Sequence, residues 1–193
     1  MSNVLIINGH LKYSYSPGLL NASLAKRAEL HFREKGWNIK TTVVEEGYDV
    51  AAEVEKLKWA DVVLLQMPLN WMGMPWSLKK YTDEVWSAGM AGELSMYDGR
   101  SPEAPKKNYG LGGLLKGRYM ISVTANAPRE AFNEPNELFF AGRSEDDLLL
   151  WIDLNFKWIG LEKTPCFWAY DVFKNPDIEN DFNRFDAHLS ACF

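Results

Sequence analysis

Cysteine is scarce in this chain: there are two among 193 residues, and the pair, Cys166 and Cys192, has no CxxC spacing. A disulfide framework and a cysteine-based zinc site are therefore not expected. Histidine is nearly as rare. His10, His31 and His188 are scattered, so no metal-ligand spacing arises, and a metal-free, reduced, cytoplasmic protein is predicted. Basic charge is also short: 21 Lys and Arg against 26 Asp and Glu give a formal charge of −5. That balance argues against a protein that must collect nucleic-acid phosphates on a basic face. Long apolar runs are missing too. The most apolar stretch, Val62 to Trp76, is cut by Gln66, Pro68, Asn70, Gly73 and Pro75, whereas a membrane-spanning helix needs about 20 mostly apolar residues. Met1 to Asn8 has no positive lead and only a short apolar run, and reads as a buried strand rather than a signal peptide.

What is present is core material, 47% hydrophobic and 13% aromatic residues, enough for a single domain over 1–193. Val4 to Ile7 is a continuous apolar run of the buried-strand kind, followed by Leu20, Leu24, Ala28 and Phe32 at helical spacing until Gly36. Trp37, Ile39, Thr41 and Val43 alternate as a second strand. Asp49 is placed to cap a short helix carrying Val50, Val54 and Leu57. Val62 to Leu65 is a third strand, and Pro75 opens a helix with Leu78, Tyr81, Val85 and Trp86 inward. Ser87 to Gly117 shows no periodicity. Tyr119 to Thr124 is a fourth strand, and Ala125 to Arg143 is again irregular. Ser144 and Asp147 form a capping-box pattern ahead of Leu148, Trp151, Ile152, Phe156 and Ile159, with Gly160 as the stop. Cys166 to Tyr170 is the fifth strand, and Asn175-Pro176 leads into a helix with Ile178, Phe182, Phe185 and Leu189 inward.

Strands alternating with helices imply an α/β, flavodoxin-like plan: a five-stranded parallel sheet, order 2-1-3-4-5, with helices on both faces. In that order the ligand crevice lies at the carboxyl ends of strands 1 and 3, where the winding reverses. Three loops meet there. The first, Gly9 to Gly18, brings Ser16, Gly18, Leu19, Leu20, Asn21 and Ser23 to a helix N-terminus, where unpaired N–H groups and the dipole favour a phosphate; a plain Ser/Gly loop with an N-cap would look the same. The second, Pro68, Leu69, Asn70, Trp71, Met72 and Gly73 with Met74 to Trp76, supplies indoles and thioethers suited to the face of a flat heteroaromatic ring; the alternative is an apolar cover for the sheet edge. The third, Thr124, Ala125, Asn126 and Ala127, offers a hydroxyl and N–H groups to the ring edge, where negative charge develops when a flavin is reduced. Neither GxGxxG nor a Walker sequence is found in its required context. Ser-His-Asp, Cys-His and paired-carboxylate arrangements are missing as well.

The motifs Asn8-Gly9, Ser16-x-Gly18-x-x-Asn21, Gln66-Met67-Pro68 with Trp71-Met72-Gly73-x-Pro75-Trp76, Lys79-Lys80-Tyr81, Tyr109-Gly110-x-Gly112-Gly113 and Thr124-x-Asn126-Ala127-Pro128 closely resemble the modulator of drug activity B family. These are FAD-containing NADPH quinone reductases of the DT-diaphorase-like group. The resemblance covers nearly the whole chain and thins after about Phe132. It implies that Ser16 to Ser23 hold the diphosphate and adenosine of FAD, that Leu69 to Met72 pack on the isoalloxazine, and that Thr124 to Ala127 bond its pyrimidine edge. It further implies that Tyr109 completes the site, from its own chain or from the second subunit of a homodimer, and bonds the quinone oxygen. Asn70 and Ala125 depart from the family pattern, which often has aromatics there. The implied reaction is two-electron, ping-pong hydride transfer from NADPH through FAD to a quinone. Two alternatives stand beside it: an FMN-dependent azoreductase or flavodoxin-like protein, and a flavin-binding regulatory subunit of a larger assembly. The irregular Ser87 to Gly117 segment is long enough to be functional, with Tyr97 and Tyr109 as a frame for the substrate mouth. Lys106, Lys107 and Arg118 are candidates for nicotinamide-nucleotide phosphates or for a plain solvated loop.

Overall fold

A computed structural model describes all 193 residues. The order is β1 (Asn3–Asn8), α1 (Leu19–Glu34), β2 (Asn38–Val43), α2 (Val50–Trp59), β3 (Val62–Pro68), α3 (Trp76–Gly89), β4 (Gly117–Thr124), α4 (Glu145–Trp158), β5 (Leu161–Lys163), β6 (Phe167–Ala169) and α5 (Ile178–Cys192). All pairings are parallel, and the path is β2-β1-β3-β4-β5, with β6 also on β4. The predicted order 2-1-3-4-5 holds.

Alternation along the strands divides the core in two. Val4 and Ile6 face one side with Leu24, Ala28 and Phe32 of α1 and Phe185 and Leu189 of α5. Leu5 and Ile7 face the other, with Leu57 of α2, Leu78, Tyr81 and Val85 of α3, and Leu149, Ile152 and Phe156 of α4. The central β3 is buried along its whole length, as its unbroken apolar run requires. Asp49 caps α2 by accepting the Ala52 N–H at 2.8 Å, and Ser144 and Asp147 cap α4 reciprocally. No helix is long and apolar enough to cross a membrane.

Two details differ from expectation. The fifth strand is split: β5 pairs with Gly117 to Tyr119 and β6 with Ser122 to Thr124. Thr164 still donates its N–H to the Tyr119 carbonyl at 2.9 Å, but Pro165 has no N–H to continue the ladder. In β2, which is an edge strand, Thr42 rather than Thr41 is buried, because its hydroxyl bonds the buried Glu53 carboxylate at 3.0 and 2.8 Å.

Candidate active site at the carboxyl ends of the strands

Helix α1 starts without a side-chain cap. Its N-cap is Gly18 at φ 82°, and no acidic residue lies in its first turn. Ala22 is the first residue whose N–H finds a carbonyl, that of Gly18 at 2.9 Å. The N–H groups of Leu19, Leu20 and Asn21 are left for an anion, with the positive end of a 16-residue helix behind them. Gly18 is required twice over. Its φ is left-handed, and a Cβ there would lie 2.4 Å from the His10 ring. His10 is buried, with Nε2 3.5 Å from Ser16 Oγ, and burial holds its pKa below the ordinary histidine value. It is therefore a neutral packing residue at pH 7. Reciprocal bonds of 3.0 Å between Tyr13 and Ser16 fold the loop back toward the helix.

Beneath the crevice lies a buried amide network. Asn21 accepts from Gln66 Nε2 at 2.8 Å and donates to Thr124 Oγ1 at 3.0 Å. It joins α1 to β3 and β4, the two strands that carry the other site loops. Asn21 and Thr124 were expected to bond a ligand; in the structure their side chains first bond each other.

After β3 the chain turns tightly. Asn70 N–H bonds the Gly73 carbonyl at 2.8 Å and Gly73 N–H bonds the Asn70 carbonyl at 3.0 Å. Between them Trp71 and Met72 take φ of 49° and 62°, a conformation that costs a non-glycine residue roughly 1–2 kcal/mol. Trp71 is 97% exposed. Strain of this kind collects at ligand clamps; Met72 lines the crevice, whereas the Trp71 indole, expected on the ring face, points to solvent and lines neither cavity. Asn70 serves here through its backbone.

The loop after β4 is laced to the one after β6. Ala125 N–H bonds the Ala169 carbonyl at 2.9 Å, Asp171 N–H the Ala127 carbonyl at 3.1 Å, and Val172 N–H the Ala125 carbonyl at 3.2 Å. Ala125 is thus core, and the free donors expected along Thr124 to Ala127 narrow to the N–H groups of Asn126 and Ala127.

Two adjoining cavities result. The smaller, about 210 Å³, is lined from Tyr15 through Asn21, by Pro68, Leu69, Asn70, Thr124 and Asn126, and by Val172, Phe173 and Ile178. The larger, about 550 Å³, is bounded by Leu69, Met72, Asn126 and Ala127 and by a wall running from Pro128 to Phe140. Leu69 and Asn126 belong to both. The walls contributed by Phe139, Phe140 and Phe173 escape a sequence reading, because neither irregular loop has a period. The usable signal is topological, since whatever follows β4 and its neighbour β6 must border the same crevice.

Other expected site residues lie apart. Ser23 is half-buried one turn along α1. Tyr109 sits edge-on to Trp158 at 5.3 Å, at the end of α4, where Leu115 N–H bonds the Ile159 carbonyl. That is the amino end of β4 and β5, the far side of the sheet from the crevice. Arg118 is there too, over the Phe193 ring and bonded to the Cys192 carbonyl at 3.3 Å. The Ser87 to Gly117 segment thus frames no mouth in its own chain.

An open parallel sheet in the order β2-β1-β3-β4-β5, with an uncapped helix, free amides and an apolar slot at its reversal point, defines a protein of the flavodoxin-like class. Residues 2–191 match the family model described as flavodoxin-like fold. The chain is 44% identical to an uncharacterised Schizosaccharomyces pombe protein over 98% of its own length and 96% of the relative's. It is 42% identical to the NADPH:quinone oxidoreductase MdaB of Haemophilus influenzae over 99% of both chains. Among solved structures, a Klebsiella pneumoniae protein assigned as a quinone reductase superposes with a TM-score of 0.75 at 25% identity, covering 99% of this chain and 83% of that one. The Treponema denticola general stress protein 14, solved with FMN, shares the fold at a TM-score of 0.64 and 19% identity, over 99% of both. The chain belongs to the flavodoxin-like fold family and, within it, to the modulator of drug activity B family.

Proposed function

We propose that this protein is a flavin-dependent NAD(P)H:quinone oxidoreductase that binds FAD in the two joined cavities. The observation that carries the reading is their division of labour. The small cavity ends on unpaired N–H groups at the positive end of α1 and has no charged lining residue, which suits a phosphorylated group. The larger is mostly apolar and shares with it the backbone at Asn126, which suits a flat ring. The residues present therefore fit a phosphorylated heterocycle. Tyr15, Leu19 and Phe173, exposed at 70%, 73% and 60% around the phosphate end, supply a surface for adenine and favour FAD over FMN.

When bound, the flavin supplies hydride transfer between a reduced nicotinamide and a quinone. The chain's own contribution is binding, orientation and electrostatics. Leu19, Leu20 and Asn21 N–H groups hold the phosphates. Leu69 and Met72 pack on the ring, and Asn126 and Ala127 N–H groups donate to its carbonyl edge. Phe139 and Phe140 keep water from the reacting face. Because one cavity serves donor and acceptor, they must bind in turn, and ping-pong kinetics follow. Tyr109 lies far from its own crevice, beside the exposed Leu111 and Leu154. A role for it at the site therefore requires a homodimer in which it enters the crevice of a second copy.

The test is the absorbance spectrum of the purified protein, chromatography of the extracted cofactor, and steady-state oxidation of NADPH with a naphthoquinone. Yellow protein releasing FAD, with parallel double-reciprocal lines, is the expected result. Colourless protein that takes up no flavin overturns the reading. FMN alone, or flavin without turnover, points to the azoreductase-like or regulatory alternative.

A further inference from the structure

We infer that the larger cavity selects its electron acceptor by charge, taking neutral or cationic quinones and rejecting anionic ones, with Glu130 and Glu137 as the residues that set the selection. This rests on the quinone reductase reading above and narrows its substrate class.

Glu130 and Glu137 are the charged residues lining the 550 Å³ cavity; the remaining lining side chains include Leu69, Met72, Phe139 and Phe140. Neither carboxylate forms an ion pair. Glu137 is fixed in place, because its Oε2 accepts the Phe140 N–H at 2.6 Å. Bonds from the amides of Phe140, Phe139 and Ala141 hold its pKa below the ordinary carboxylate value, so it stays charged in mild acid. Glu130 is exposed on the short 3-10 turn Arg129–Ala131 and has no side-chain partner. The nearby bases do not neutralise the wall: neither Arg129 nor Arg143 lines the cavity, and the Arg143 guanidinium is engaged with the Phe140 carbonyl at 3.0 Å.

Two negative charges beside an apolar wall make the local potential more negative, and at low salt their field reaches a ligand seated against that wall. A neutral quinone meets only apolar side chains and the ring surface. A sulfonated quinone brings a third negative charge to the wall, and each carboxylate disfavours it by a few-fold, or roughly tenfold together at low salt. The nicotinamide donor is compatible with the wall because the ring that enters is uncharged and its phosphates lie outside.

The experiment compares 1,4-naphthoquinone with 1,4-naphthoquinone-2-sulfonate on the flavin-loaded protein. One readout is the dissociation constant from quenching of tryptophan fluorescence in the oxidised protein; the other is kcat/KM. At low salt the sulfonate is expected to bind about tenfold more weakly, although it is the stronger oxidant. Glu130→Gln, and Glu130→Gln with Glu137→Gln, should each narrow the gap, as should 0.5 M salt. Glu130→Gln alone is decisive if the double variant folds poorly, since Glu130 holds nothing in place. Equal binding of the two quinones overturns the inference and leaves the quinone reductase reading standing, as does a gap that ignores both substitution and salt. Failure of both quinones to bind the flavin-loaded protein overturns the two together.

Discussion

Replacing Asn21 by alanine asks whether the crevice floor is one network or a set of separate contacts. Asn21 is 4% exposed and is the side-chain partner of both Gln66 Nε2 and the Thr124 hydroxyl. Gln66 is fully buried and its Oε1 already lacks a partner, so the substitution strips Gln66 of its remaining side-chain bond and Thr124 of its own. An unsatisfied buried polar group costs about 1–3 kcal/mol. Two such groups, partly relieved by water from the adjoining cavity, give a loss of about 3 kcal/mol. At about 2–4 °C per kcal/mol for a domain of this size, the melting temperature should fall by roughly 6–12 °C. Urea unfolding of the flavin-free protein gives the free energy, and calorimetry gives the shift. Asn21→Asp is the companion. It keeps an acceptor for Gln66 and one for the Thr124 hydroxyl, and an acid in the first turn of a helix gains about 0.3–1 kcal/mol from the dipole. Stability should then stay within about 1.5 kcal/mol of wild type, while FAD affinity drops at least about tenfold because a fixed negative charge now lies at the anion site. An Asn21→Ala loss below about 1 kcal/mol would refute the network, since that is less than one unsatisfied group costs.

Three further outcomes are expected. Gly18→Ala forces a Cβ to 2.4 Å from the buried His10 ring at φ 82°. A loss of about 2–4 kcal/mol should appear in a thermal scan, made up of the left-handed conformation and the clash, and an unchanged melting temperature would refute it. Trp71→Asn should leave stability unchanged or raise it by up to about 1 kcal/mol, because asparagine tolerates the left-handed region better. The same variant should weaken flavin retention in dialysis, and a clear fall in melting temperature would show that the exposed indole packs on something. Burial pushes the Cys166 thiol up to about 11. The folded state therefore keeps its proton where the unfolded chain, titrating near its ordinary value, releases it. The stability this contributes is intact below about pH 8.5 and is lost as pH rises toward 11. Cys166→Ala should flatten that slope in urea titrations at pH 8, 9 and 10.

The sheet order was legible because each core strand of this chain announces itself: Val4 to Ile7 and Val62 to Leu65 are unbroken apolar runs, and the capping box at Ser144 marks the start of α4. The position of the crevice followed from that order alone. The split of the fifth strand was not legible. Leu161–Lys163 is three residues long with two of them exposed, too short to show a period, and only the lack of an N–H at Pro165 hints at the break. At the candidate site, the loops named from residue types do line the two cavities, but bonding among them was hidden. Nothing in the order Asn21, Gln66, Thr124 says that these side chains meet, because their contact is made by the crossover and not by spacing. The Pro128 to Phe140 wall was illegible for a related reason: side chains of an irregular loop have no periodicity to reveal which way they face.

Tyr109 is where sequence and structure pull furthest apart, and it admits a sharp test. It lies at the amino end of β4 and the crevice at the carboxyl end. Those eight residues span roughly 23 Å at about 3.3 Å per residue, beyond the reach of a tyrosine side chain. Tyr109→Ala should therefore cost its own fold little, about 0.5–1.5 kcal/mol for the edge-on contact with Trp158. If the homodimer reading is right, the substitution still lowers quinone turnover, because it damages the crevice of the other copy. The Asn21→Asp chain is defective in its own crevice but carries an intact Tyr109. Unfolding the two variants together and refolding them gives hybrids in half the dimers, each with one site built from an intact crevice and an intact Tyr109. With FAD held below the level that fills the Asn21→Asp crevice, turnover per chain should then rise to about a quarter of wild type, as a two-fold symmetric pairing requires, above the value of either variant alone. Absence of that recovery, with hybrids verified by native mass spectrometry, would mean that Tyr109 takes no part across a subunit boundary. The exposed rings and leucines beside α4 would then need another partner.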